Sequence, residues 1–147
     1  MMEPTLTPEQ IEKISNLSKE GREYWKKNQL SEAESCFLRA WGIMQSPTLT
    51  LDYSQSIARG LVAFFKETKQ YEKAISWLTV MHDLYTPKPS DYVEFIAATV
   101  YFDAGKTSAA YEIFDKQYKK YGKRPFTDED KKYLNFYLTQ KKCKKMK

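Results

Sequence analysis

The feature that most constrains this chain is a turn written three times. Gln29-Leu30-Ser31-Glu32-Ala33-Glu34, Gln70-Tyr71-Glu72-Lys73-Ala74-Ile75 and Gly105-Lys106-Thr107-Ser108-Ala109-Ala110 share a polar opening followed by an alanine. Aligned on Ala33, Ala74 and Ala110, the copies carry small and large apolar residues at matching places. These are Leu17, Gly21 and Tyr24, then Ala33, Phe37 and Ala40; Ala58, Val62 and Phe65, then Ala74, Leu78 and Met81; and Ala98 and Tyr101, then Ala110 and Phe114. A small residue lets two helices approach, and a large one fills the space beside it. A fixed unit repeated along a chain cannot bury its apolar face alone, so copies must stack.

Helix signals fill in the units. Thr7-Pro8-Glu9-Gln10 reads as a capped start, with Pro at the first helical position and Gln three residues after the cap. Ile11, Ile14, Leu17, Gly21 and Tyr24 recur at helical steps, carrying the helix to about Lys27. Ser31 is expected to cap a second helix, with Glu34 completing a capping box, and Pro47 to end it. A third helix is expected from near Asp52 to Thr68 and a fourth from Tyr71 to Tyr85, stopped by Thr86-Pro87-Lys88-Pro89. Ser90 caps a fifth that ends at Ala104-Gly105. A sixth runs from Thr107 or Ser108 to Tyr121-Gly122, where glycine suits a left-handed C-cap. Thr127-Asp128-Glu129-Asp130 reads as a helix start with three acids on the positive end of the dipole. No stretch alternates with period two for long enough to suggest a strand. The expectation is one all-α domain over 1–147, with repeats at 8–47, 52–87 and 90–122, a capping helix at 127–140 and a basic tail at 141–147.

This pattern resembles the tetratricopeptide repeat (TPR), a helix–turn–helix unit of about 34 residues. The anchor alanines stand 41 and 36 apart, so the connections are longer than the family's, and residues 46–52 carry much of the excess. Val62 and Glu94 stand where the family usually has a small and an apolar residue. The resemblance implies a TPR-like α-solenoid of three helical hairpins plus a C-terminal capping helix, with the first helix of each hairpin lining a concave face. On those helices it points outward Arg22 and Trp25, Arg59 and Lys66, and Tyr92, Phe95, Thr99 and Phe102. Aromatic and Arg side chains dominate binding hot spots, so these residues form the candidate protein-binding surface. The carboxylate clamp of chaperone cochaperones is not matched, since Ser18, Gly60, Tyr92 and Ile96 occupy its places and only Arg22 could serve.

Composition narrows the classes. With 147 residues the chain suits one domain with a core. The N-terminus lacks a basic segment followed by an apolar one, and no run approaches about 18 apolar residues, so neither a signal peptide nor a membrane span is expected. Cys36 and Cys143 cannot form a disulfide framework, which fits a reducing cytoplasmic setting. His82 is the single histidine and has no clustered Cys or carboxylate. There is no glycine-rich phosphate loop and no HExxH. No catalytic residue, metal site or cofactor is expected. The Asn16-Leu17-Ser18 sequon falls in mid-helix and is discounted.

Charge is unevenly spread. Residues 116–147 hold 12 Lys or Arg and 3 Asp or Glu (+9), while residues 1–115 hold 12 and 16 (−4). Lys141, Lys142, Lys144 and Lys145 are a possible electrostatic contact in what reads as a solvated, frayed tail. Nucleic-acid binding through it is the least favoured reading, because Tyr133, Phe136 and Tyr137 fit a buried stripe better than stacking platforms.

Finally, Tyr71-Glu72-Lys73-Ala74, Tyr101-Phe102-Asp103-Ala104-Gly105 and Thr127-Asp128-Glu129-Asp130-Lys131-Lys132-Tyr133-Leu134 are together similar to a group of small bacterial TPR proteins found beside polymorphic toxins. That resemblance implies an immunity protein that occludes a cognate toxin. The alternative is a secretion chaperone, like class II chaperones of type III secretion, holding an export substrate, or a general TPR adaptor. All these readings take a protein partner, with no small-molecule substrate and no membrane.

Overall fold

The structure, a computed structural model, describes residues 6–44 and 50–145. They are all-α, with no strand among them. Seven α-helices follow in order: α1 (Pro8–Lys26), α2 (Leu30–Gly42), α3 (Leu51–Glu67), α4 (Tyr71–Leu84), α5 (Asp91–Asp103), α6 (Thr107–Tyr121) and α7 (Lys131–Lys145). A 3-10 turn at Arg124–Phe126 precedes α7. The expected stop at Pro47, and most of the 46–52 link, lie outside the described residues.

The thrice-written turn is one piece of backbone geometry used three times. Asn28, Lys69 and Gly105 take positive φ values of 60, 64 and 84°. After each, an amide reaches back to a carbonyl five residues earlier: Gln29 to Tyr24 at 2.9 Å, Gln70 to Phe65 at 2.7 Å, Lys106 to Tyr101 at 2.8 Å. This is the Schellman closure of a helix. The same residue then starts the next helix, its carbonyl accepting from Ala33, Ala74 or Ala110 at 3.1 Å each. All three alanines are fully buried. Only two residues separate the end of one helix from the cap of the next: Lys27-Asn28, Thr68-Lys69 and Ala104-Gly105.

That geometry corrects the start of α2. The N-cap is Gln29, with no side-chain cap bond, and Ser31 lies inside the helix. Left-handed closure at Asn28 brings the chain into the helix two residues before Ser31 could cap it. The expected caps Thr7 and Ser90 do hold: Thr7 and Gln10 form a reciprocal capping box at 2.9 and 3.1 Å, and Ser90 accepts from Val93 N at 3.4 Å. Gly122 takes φ 66° as expected, but with ψ −138°, a region open essentially to glycine alone rather than the left-handed helix.

The left-handed positions make one substitution informative. An L-residue there carries roughly 1–2 kcal/mol of strain. Glycine removes it, but its greater unfolded freedom costs about 0.5–1 kcal/mol. Lys69→Gly is therefore expected to stabilise the fold by about 0.5–1 kcal/mol. Urea denaturation checks this; a loss of stability would contradict the role given to the turn.

Helices pair as α1–α2, α3–α4 and α5–α6, and successive pairs meet through α2–α3 and α4–α5. Edge-to-face rings bind neighbouring hairpins. Trp25 of α1 meets Phe64 of α3 with centroids 5.1 Å apart, and Trp41 of α2 meets Trp77 of α4 at 5.1 Å. Two clusters form the core, and α5 divides them: Val93, Ala97 and Val100 join the cluster of α1–α4, while Phe95 and Ala98 join that of α6 and α7. A helix buried on opposite sides must be apolar nearly all round, which explains the run Phe95–Val100.

The C-terminus departs from expectation twice. The helix expected at 127–140 begins at Lys131, with no acid in its first turn. Asp130 caps it, its Oδ1 accepting from Lys132 N at 3.0 Å. The expected frayed tail is helical through Lys145, and two of its lysines, Lys141 and Lys144, lie over tyrosine rings as described below.

Candidate protein-binding face

The eight residues expected on one open face fall into two groups. Arg22, Arg59 and Tyr92 reach solvent, Tyr92 at 46% exposure. The other five are buried or half-buried by packing across hairpins. Trp25 is clamped between Phe37 and Phe64. Phe95 is buried against Phe114 and Phe126, with centroids at 5.4 and 5.0 Å. Thr99 is buried and donates to Ile96 O at 2.6 Å.

Lys66 and Phe102 pack against α7 and, half-buried, border a cleft of about 350 Å³ with Asp103 and Lys132. Phe102 meets Tyr133 and Phe136 at 5.6 and 4.8 Å. Lys66 Nζ donates to Thr99 Oγ1 at 3.4 Å and to Tyr133 OH at 3.3 Å. Tyr133 OH donates in turn to the Asp103 carboxylate at 3.1 Å, and Lys132 pairs with Asp103 at 3.2 Å. Burial, then the Asp103 charge, holds the Tyr133 phenol far above its ordinary range. This part of the α3–α5 face is thus narrowed by the chain's own last helix.

The open part centres on Tyr92. Arg59 lies beside Tyr92, and the neighbouring phenol holds the guanidinium more firmly in its charged form. Tyr85 packs on Tyr92 with centroids 5.5 Å apart. On its other side Tyr92 borders a cleft of about 380 Å³. Phe95 and Ile96 of α5, Tyr121 of α6 and Pro125 give it apolar walls. Arg124, Asp128 and Glu129, from the segment before α7, give it a charged rim. The Asp91 carboxylate fixes the wall: Tyr121 OH and Lys120 Nζ both donate to it, and together they hold its pKa below the ordinary carboxylate value. Gln117 Nε2 donates to Asp91 O at 3.1 Å. Sequence reading missed Asp91, Tyr121, Arg124, Asp128 and Glu129. Tyr121 beside Gly122 is the one local sign, since a helix ending there must present its last side chains to whatever the chain returns to.

A second surface lies where α6 meets α7. Tyr137 OH donates to Asp115 at 2.7 Å, and Lys119 pairs with Asp115 at 2.8 Å. Lys141 Nζ lies 4.8 Å from the Tyr118 ring centre, and Lys144 Nζ lies 4.5 Å from that of Tyr111. Lys142 is exposed, and the side chain of Lys145 lies outside the described residues.

Among the described residues no cluster of His, Cys, Asp and Glu could hold a metal ion, and no helix is long and apolar enough to cross a membrane. Comparison with protein-family models, with curated proteins and with solved structures returns no match.

Proposed function

We propose that this chain is a non-catalytic protein-binding module, a TPR-like solenoid of three hairpins closed by α7. In this reading the partner docks on Arg59 and Tyr92 and reaches into the adjoining cleft. The supporting observation is the exposed Arg59–Tyr92 pair beside a concave apolar wall, because Arg and Tyr in a partly desolvated setting are the side chains that most often anchor an interface. The three identical turns favour the TPR-like reading. The surface is held by packed helices, so little ordering entropy opposes association.

The specific reading is an immunity protein, and its support is the similarity of the chain's closing segment to that of TPR proteins beside polymorphic toxins. Its mechanism is occlusion: the docked face covers the toxin's functional surface. The test is co-expression with the products of neighbouring genes, followed by calorimetric titration of any complex. The expected partner is a folded protein that is lethal without this chain. Arg59→Ala and Tyr92→Ala are each expected to weaken binding about tenfold, or about 1.4 kcal/mol. Capture of an unfolded apolar substrate instead would move the assignment to a secretion chaperone. Unchanged affinity in both variants would reject the site.

A further inference from the structure

We propose that the α6–α7 end is a second contact surface, built to receive an acidic patch on a protein partner. This rests on reading the chain as a protein-binding module, though not on the Arg59–Tyr92 site.

The charge is concentrated there: +9 over residues 116–147, against −4 over the rest. Its arrangement matters more than its size. Three nearby cations are committed to acids within the fold, Lys119 to Asp115, Lys120 to Asp91 and Lys132 to Asp103. Among the described residues Lys141, Lys142 and Lys144 form no ion pair. They sit on a helix, and two of them are steadied over rings, Lys141 over Tyr118 and Tyr137 and Lys144 over Tyr111. Cations held in place in this way lose less freedom on meeting an anion than a frayed tail would.

Two observations favour acidic protein over nucleic acid. Single strands are gripped by bases stacking on aromatic faces, and here the faces of Tyr111 and Tyr118 already carry lysines. The remainder of the chain is net negative, which opposes a long polyanion running past this end but not a compact acidic patch confined to it.

The test uses labelled poly-glutamate of about 20 residues and single-stranded DNA of about 20 nucleotides, matched in charge, with anisotropy read from about 50 mM salt upward. Poly-glutamate is expected to bind at least as tightly as the oligonucleotide. The triple variant Lys141→Gln, Lys142→Gln and Lys144→Gln is expected to weaken it about tenfold. The same change in charge on α1, at the exposed Lys13, Lys19 and Lys26, is expected to weaken it less than about twofold. The single variant Lys142→Glu, whose parent side chain makes no ring contact, should also weaken it while circular dichroism stays unchanged. That variant guards against a triple variant that loosens α7. Tighter binding of the oligonucleotide, equal loss from both lysine sets, or no binding of poly-glutamate would each overturn the proposal. Arg59→Ala with Tyr92→Ala should leave poly-glutamate binding unchanged, so this test stands apart from that of the cleft.

Discussion

Phe114→Ala is expected to lower stability by about 3–5 kcal/mol, the range for truncating a fully buried phenylalanine. Phe114 has no exposed surface, and its ring is shared by three parts of the chain. Phe95 of α5 lies 5.4 Å away, Phe126 of the 3-10 turn 5.3 Å, and Tyr133 and Phe136 of α7 lie at 6.0 and 6.4 Å. Removing it opens a cavity among aromatic rings that are themselves locked by one another, so little collapse can fill it. The loss should be local as well as global. Denaturant titration reads the stability, and hydrogen exchange should show α7 losing protection before α1–α4 do. Retained protection of α7 with stability down by less than about 1 kcal/mol would mean that α7 is held by its polar bonds to Asp103 and Asp115 and not by this cluster.

Gly21→Ala should destabilise, against the usual direction. In an exposed mid-helix site the change gains about 1 kcal/mol. At Gly21 an added Cβ would stand 2.6 Å from Cε1 of Phe37 and 2.9 Å from two further ring atoms. The ring cannot retreat, because Phe64 and Trp25 are packed against it at 5.4 and 6.5 Å. Overpacking of this kind costs about 1–3 kcal/mol. Gly60 in α3 is the internal control: it is exposed, and an added Cβ meets nothing within 4 Å. Gly60→Ala should therefore stabilise by about 0.5–1 kcal/mol. Opposite signs for the two variants, read from thermal or urea unfolding, are the expected result. The same sign for both would show that Gly21 is not a helix-contact residue.

Most of the helix order was legible from the sequence because the hairpin turn is local. Ala33, Ala74 and Ala110 mark it, and Asn28, Lys69 and Gly105 only have to close a helix. Helix starts were legible where a hydroxyl could reach a free amide, at Thr7 and Ser90. Ser31 misled, since its spacing to Glu34 matches a capping box while the backbone closure upstream had already begun the helix. Thr127–Asp130 misled for a tertiary reason. Phe126 is buried beside Phe95 and Phe114, and reaching that position draws Arg124–Phe126 into a 3-10 turn, so α7 starts only after Asp130. The exposure expected along the candidate face was misjudged for the same kind of reason. Counting along α3 and α5 names residues on one side of each helix but cannot say that α7 returns over Lys66 and Phe102. Nor can it say that Tyr121 and Asp91, 30 positions apart, would join to wall a cleft. Arg59 and Tyr92 stay exposed, as counted, because no later segment among the described residues packs over them.

The most direct measurement is hydrogen exchange of this chain alone and saturated with its co-expressed partner. Binding at the Arg59–Tyr92 face should protect the amides of residues 91–96 and 122–129, which border the cleft, while the outer side of α2 around exposed Leu38 exchanges as before. Protection confined to α2 and α4, with residues 91–96 unchanged, would contradict the assigned face and place the partner on the opposite side of the hairpins.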